Sequence, residues 1–325
     1  LSPLTGLYAA FVVGLVAAVL GGRPGMISGA TGAIAVIIAP LALMYGVEYV
    51  FAAVVLAGLF QLLAGLFKLG KLMRLVPQPV IFGFVNGLAI IIGGSQIAQF
   101  KDESGSWLSG TEMYVFGGLV ILAMGIIAIM PRITKAIPGG LTAIVVVFGI
   151  AYGLDLDTKT VGDLASIKGG FPPFHIPNLP FTLETFQIIL PFSIIIASVG
   201  LIESLLTLNI IDELTKTRGS GNRECLAQGS ANILSGVFSG MGGCAMIGQS
   251  LINVSSGARS RVSGIIASVM LLVFILFGSG LIEQLPMAAL TGLMLMVAVG
   301  TFEWASFRTI RRMPASDVLV MILVT

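Results

Sequence analysis

Gly21-Gly22-Arg23-Pro24-Gly25-Met26-Ile27-Ser28-Gly29-Ala30-Thr31-Gly32-Ala33 and Gly240-Met241-Gly242-Gly243-Cys244-Ala245-Met246-Ile247-Gly248-Gln249-Ser250 interrupt a chain that is otherwise apolar almost end to end. Each stretch puts helix-breaking residues just ahead of a short apolar run, and the two occupy corresponding places in the two halves of the sequence. Irregular backbone is tolerated at membrane depth only where protein or a water-filled cavity satisfies it, so paired interruptions point to a substrate site. Two helix starts facing each other aim free backbone N–H groups and two positive dipole ends at one point, which favours an anion. The bland reading is that these glycines only pack helices or make turns.

The setting of the two stretches is a membrane. Of 325 residues 56% are hydrophobic and 10% charged, and the mean hydropathy is +1.04. An ordinary soluble domain is about 25% charged. No hydrophilic block is large enough to fold separately, so residues 1–325 read as a single transmembrane domain. Spans are expected near 4–20, 28–45, 49–67, 79–99, 113–130, 138–153, 185–209, 225–240, 244–257, 262–281 and 287–303, with a further one starting near 316. Gly at 42 residues suits close approach of helices in lipid. Of the 17 Lys and Arg, all but Lys101, Lys159 and Lys168 fall in alternate connections. The basic connections are therefore cytoplasmic. The 28–45 span then runs from inside to outside and 244–257 the reverse. The opening Leu1-Ser2-Pro3-Leu4-Thr5-Gly6 has no charged leader region, so it is not a signal peptide, and both ends read as cuts within a longer chain. The longest polar connection, 154–184, lies outside and reads as loop or short extended pieces. Cys225 and Cys244 are too few for a disulfide scaffold or a Cys-rich metal site, and His175 is alone.

One acidic residue, Glu203, is placed deep inside a span, with no Lys or Arg similarly buried. A charged carboxylate at the bilayer centre costs at least about 2.5 to 3.5 kcal/mol on insertion scales, so it marks an ion or proton path. Thr207 lies one turn on along the same helix face, where its hydroxyl could join Glu203 around a small cation such as Na+. Desolvation of Glu203 also opens proton coupling. The competing readings are a protonated Glu203 bonded to a neighbouring helix, and a Thr207 hydroxyl bonded back to its own helix.

Pro3-Leu4-Thr5-Gly6-Leu7-Tyr8, the run from Ile27 to Ala33, Gly200-Leu201-Ile202-Glu203-Ser204-Leu205 and Asn253-Val254-Ser255-Ser256-Gly257-Ala258-Arg259 resemble the SulP sulfate-permease family of anion transporters, relatives of prestin, pendrin and cyanobacterial sodium-bicarbonate symporters. The resemblance runs the length of the chain in consistent order. It implies an all-α polytopic membrane protein of two inverted seven-helix repeats, divided into core and gate domains, with two half-helices meeting at the bilayer midplane. In that frame the chain runs from the family's second helix to the start of its thirteenth. A soluble C-terminal STAS domain, dimerisation and elevator-like movement are also implied. Carried over, the anion would sit between Ser28, Gly29, Ala30, Thr31 and Gly32 on one side and Ala245, Met246, Ile247 and Gly248 on the other. Glu203 matches the coupling acid and Thr207 its partner threonine. Where many members have Arg just after the second half-helix tip, this chain has Gln249, grouped here with the coupling residues. The missing charge leans the reading towards a monovalent anion with sodium, although helix ends alone can bind sulfate.

The expected function is secondary active transport of a small inorganic oxyanion, bicarbonate or sulfate, in symport with Na+ or H+. No cofactor is expected beyond a bound Na+. The rivals are an uncoupled exchanger or channel, and a nucleobase-type permease of the same architecture, which would place aromatics at the half-helix tips where none stand here. An enzyme would need a convergent nucleophile, base or metal set, and Glu203 alone does not supply one.

Overall fold

Backbone that crosses lipid has only its own segment to bond to, so the apolar runs become helices. The computed structural model describes residues 2–70, 78–102, 105–134, 137–164, 169–180, 182–306 and 314–325. In chain order these form α1 (Pro3–Leu20), β1 (Ser28–Gly29), α2 (Gly32–Tyr45), α3 (Val47–Leu66), α4 (Gln78–Ser95) with a 3-10 turn (Gln96–Phe100), α5 (Gly110–Ile133), α6 (Gly139–Gly153) and the short α7 (Val161–Leu164). There follow α8 (Leu183–Thr215), α9 (Gly221–Val237), β2 (Cys244–Ala245), α10 (Ile247–Ser255), α11 (Val262–Phe277), α12 (Ser279–Glu283), α13 (Met287–Thr301) and α14 (Ala315–Val324). Every expected span has its helix. Among the described residues five helices are long and apolar enough to cross a bilayer by themselves: α1, α3, α4 with its 3-10 extension, α5 and α8. Of the basic residues in the connections, Lys71, Arg74, Lys135, Lys168, Arg308, Arg311 and Arg312 lie outside the described residues.

The chain divides into two compact units, residues 1–75 with 167–279 and residues 76–166 with 280–325. In the second unit α13 packs on α4, α5 and α6, and α14 on α4. The Thr160 backbone bridges to Pro286, which ties α7 to the start of α13.

The first unit holds both interrupted stretches. Its most extensive contact is α3 against α9. A Cβ placed on Gly58 would lie 2.7 Å from the Gly229 carbonyl oxygen, and one on Gly229 would lie 2.6 Å from the Leu62 nitrogen. These backbones meet because neither position carries a side chain, which is how helices approach when lipid supplies no hydrophobic drive. α2 buries Ile34, Ile38 and Leu41 against α3 and α8. Residues 169–180 strap the same unit. Phe171 packs edge-on to Phe11, the His175 N–H donates to Val237 O at 2.7 Å, and the His175 ring and the Asn178 N–H both meet the Glu48 carboxylate at 2.8 to 2.9 Å.

Candidate functional site

The site begins on α9, whose buried side chains are polar. Glu224, Gln228, Asn232 and Ser235 recur at helical spacing on one face of α9 and are all buried. They meet backbone that has no helix of its own. Glu224 Oε2 accepts from the Gly22 N–H at 2.7 Å, and Gln228 Nε2 donates to Glu224 Oε1 at 2.8 Å and to Ser28 Oγ at 2.9 Å. Asn232 brackets Gly243, accepting from its N–H at 2.8 Å and donating to its carbonyl at 3.0 Å. Ser235 Oγ accepts from the Gly242 N–H at 3.2 Å. Each interrupted stretch is thus held open by side chains that replace the missing helical partners.

Between these supports the stretches cross. β1 and β2 pair antiparallel, with Ser28 opposite Ala245 and Gly29 opposite Cys244. A Cβ on Gly243 would run into the Gly29 carbonyl, so the crossing requires glycine there. The expectation that helices start at Ser28 and Cys244 is corrected: the residues before each helix are extended, because the ladder and the α9 side chains satisfy their backbone. Helix α2 starts after Thr31 and α10 after Met246, and neither cap residue makes a side-chain capping bond. Since β1 and β2 are antiparallel, the chain leaves the crossing into α2 and α10 in opposite directions, and both positive helix ends sit at the crossing.

The nine residues expected to hold the anion are brought together there, but in different roles. Ser28, Gly29 and Ala245 lie in the strands and are buried, with the Ser28 hydroxyl engaged by Gln228. Ala30 connects β1 to Thr31; Thr31 and Met246 are the cap positions, and Gly32, Ile247 and Gly248 open the helices. Gly32 and Gly248 are exposed, and a Cβ on Gly248 would meet open space. Gln249 is exposed on the first turn of α10, and no hydrogen bond joins it to Glu203.

Behind the crossing stands Glu203, 7% exposed on α8. The Cys244 thiol donates to its Oε2 at 2.9 Å. With that proton directed at the carboxylate, the Thr31 hydroxyl, 3.3 Å from the sulfur, is the donor to Cys244. A hydrogen-bonded chain therefore runs from the cap of α2 through β2 to the buried acid. The next residue, Ser204, accepts from the Ala245 N–H at 3.0 Å and pins α8 to β2. The Thr207 hydroxyl donates to the Glu203 backbone carbonyl at 2.8 Å, so it bonds to its own helix and not to the carboxyl group.

Two participants escape a reading of spans. Cys244 passes as an apolar residue, and only the crossing brings it to Glu203. Glu224, 2% exposed, is a second buried acid, and Glu203 is therefore not alone. The four-residue spacing of Glu224, Gln228 and Asn232 was the available signal for that polar face.

Two broken segments crossing as antiparallel strands, two helix starts at the crossing and an acid behind it define the architecture of inverted-repeat membrane transporters. Sequence comparison gives the family. The sulfate permease family profile matches residues 1–324, and the chain belongs to that family. YbaR of Bacillus subtilis (strain 168), a sulfate transporter by its provisional name, is 46% identical over 323 residues, covering 99% of this chain and 65% of that protein. The bicarbonate transporter BicA of Synechocystis sp. is 33% identical over 338 residues, covering 97% of this chain and 59% of that protein. The transmembrane domain of a cyanobacterium bicarbonate transporter BicA superposes with a TM-score of 0.85 at 32% identity, covering 99% of this chain and 86% of that one. The murine Slc26a9 anion transporter in the inward-facing state shares the fold at a TM-score of 0.81 and 16% identity, covering 99% and 60%. The chain is a multi-pass membrane protein, and it spans less than two thirds of the length of these two sequence relatives.

Proposed function

We propose that the protein is a secondary transporter of a small inorganic oxyanion, with the coupling ion taken up at Glu203. The observation that carries this reading is the crossing itself: two helix starts without side-chain caps, joined through Thr31 and Cys244 to one buried carboxylate. An anion at the helix starts gains from two dipole ends. Glu203 opposes it when ionised, and a cation or proton at Glu203 removes that opposition, which makes the two bindings mutually favourable.

The neighbours of Glu203 favour a proton over Na+. A hard cation prefers oxygen ligands, and here the carboxylate faces a thiol while the Thr207 hydroxyl is turned to the backbone. The neutral Gln249 favours a monovalent cargo, so bicarbonate is preferred and sulfate is the competitor. Alternating access of the elevator type is part of the proposal, supported by the presence of the helix starts, Glu203 and their α9 supports in one compact unit.

The test is uptake of radiolabelled bicarbonate and sulfate into proteoliposomes under imposed proton or sodium gradients, for the full-length protein and for Glu203→Gln. Proton-driven bicarbonate uptake that the variant loses is the expected result. Sodium-driven uptake would move the coupling ion to Na+. Gradient-independent exchange that survives Glu203→Gln would leave Glu203 structural and the protein an uncoupled exchanger.

A further inference from the structure

Where the turn at Arg23, the end of α8 and the end of α10 come together, the first unit has a half-open cavity of about 400 Å³, lined by Arg23, Thr215, Thr217, Arg218, Val254 and Arg259 among others. The charge pattern of the connections puts this end on the cytoplasmic side. Arg23 is a wall and not a ligand. Its Nη1 pairs with Asp212 Oδ1 at 2.9 Å, and its Nη2 bonds Thr215, Thr217 and the Ile211 carbonyl. Arg259, itself exposed, spends Nη1 on the carbonyls of Val254 and Ala258 at 2.7 and 2.8 Å, which caps the end of α10 and leaves Nε and Nη2 without a partner among the described residues. Arg218 is exposed and makes no hydrogen bond or ion pair among the described residues. Among the described residues no carboxylate lines the cavity.

Two guanidinium groups with unspent donors therefore border one concavity, and the Asp212 carboxylate beneath it is already committed to Arg23. Guanidinium forks match the oxygens of phosphate and carboxylate in pairs of parallel hydrogen bonds. Two of them offset the two negative charges of a phosphate group, and about 400 Å³ leaves room for the group it is esterified to, since ligand sites begin near 300 Å³. We infer that this cavity is a second anion site, separate from the strand crossing, for a phosphate-bearing anion, free in the cytoplasm or as a lipid headgroup. Its occupant would tie the turn that feeds β1 to the ends of α8 and α10.

The experiment is thermal unfolding of the full-length protein in detergent at constant ionic strength, titrated in one arm with inorganic phosphate and in the other with phosphatidic acid in mixed micelles. Ligand that binds the folded state raises the midpoint saturably. We expect a saturable rise in at least one arm, and a rise in apparent Kd of about tenfold or more in Arg218→Gln, whose side chain supports nothing in the fold. Arg259→Gln should act in the same direction. Response to phosphate assigns a free ligand and response to phosphatidic acid alone assigns a headgroup; either supports the site. No saturable rise in either arm overturns it, as does a rise of equal affinity in Arg218→Gln. A response kept in Arg218→Gln and lost in Gln249→Leu would place the phosphate at the helix starts, which also overturns it.

Discussion

Glu203 and Glu224 are both buried acids in the first unit, yet their surroundings differ in kind. Glu224 stands on the first turn of α9 and uses both carboxylate oxygens, one on the Gly22 N–H and one on the Gln228 amide. It fastens the end of α1 to α9. Glu203 has one side-chain donor among the described residues, the Cys244 thiol, and it stands beside the exposed helix starts. A carboxylate whose partners are all fixed protein groups is a structural member. One with a single weak donor beside exposed helix starts is a group whose occupancy can change.

Substitutions separate the two. The largest effect is expected for Glu224→Leu, which strands the Gly22 N–H and one N–H of the Gln228 amide in the interior at about 1–3 kcal/mol each, so the unfolding free energy in detergent should fall by about 3 kcal/mol or more. A fall below about 1 kcal/mol would put Glu224 in the same class as Glu203. Next comes Cys244→Val, which removes the one donor to Glu203 and costs about 1–2 kcal/mol in the same assay. Cys244→Ser restores a donor and should recover most of that loss. Glu203→Gln keeps an acceptor for the thiol and should cost less than about 1 kcal/mol, while abolishing gradient-driven uptake. Stability and transport thus move in opposite order for the two acids.

A third acid sharpens the contrast from the solvent side. Asp163 on α7 accepts from the Thr160 N–H at 2.7 Å and the Thr160 hydroxyl at 2.8 Å. Those bonds hold its carboxyl below the ordinary carboxylate range, the backbone bond first. The support it gives is therefore present above the ordinary pKa and lost as pH falls through the lowered one. Hydrogen exchange over 160–164, corrected for intrinsic rate, should show faster opening below about pH 3.9 than at neutral pH, with no change in the rest of the fold.

Much of this was readable in the sequence. The spans near 4–20, 138–153 and 287–303 match α1, α6 and α13 because long apolar runs have one stable form in lipid. The two glycine-rich stretches marked the candidate site because glycine interrupts those runs. The sequence reading went wrong where tertiary partners override local pattern. Ser28 and Cys244 are strand residues because a segment more than two hundred residues away completes each ladder. The span expected at 225–240 begins at Gly221, since the polar face of Glu224 and Gln228 is buried against backbone and not against lipid. The Cys244–Glu203 bond joins positions 41 apart, and no periodicity encodes it.

The strand crossing also carries a consequence for biosynthesis. Thr31 and Cys244 are separated by 213 residues, and Ser28 and Gln228 by 200. When the ribosome has delivered α1 and α2, Ser28 and Gly29 can pack on α1 but lack the ladder to β2 and the Gln228 bond, which form only after α9 and β2 emerge. Contacts this distant in sequence are late and slow to form. Until then the nascent chain depends on water, lipid headgroups or the insertion machinery to solvate that gap. The crossing is therefore completed only after more than two hundred further residues have been delivered.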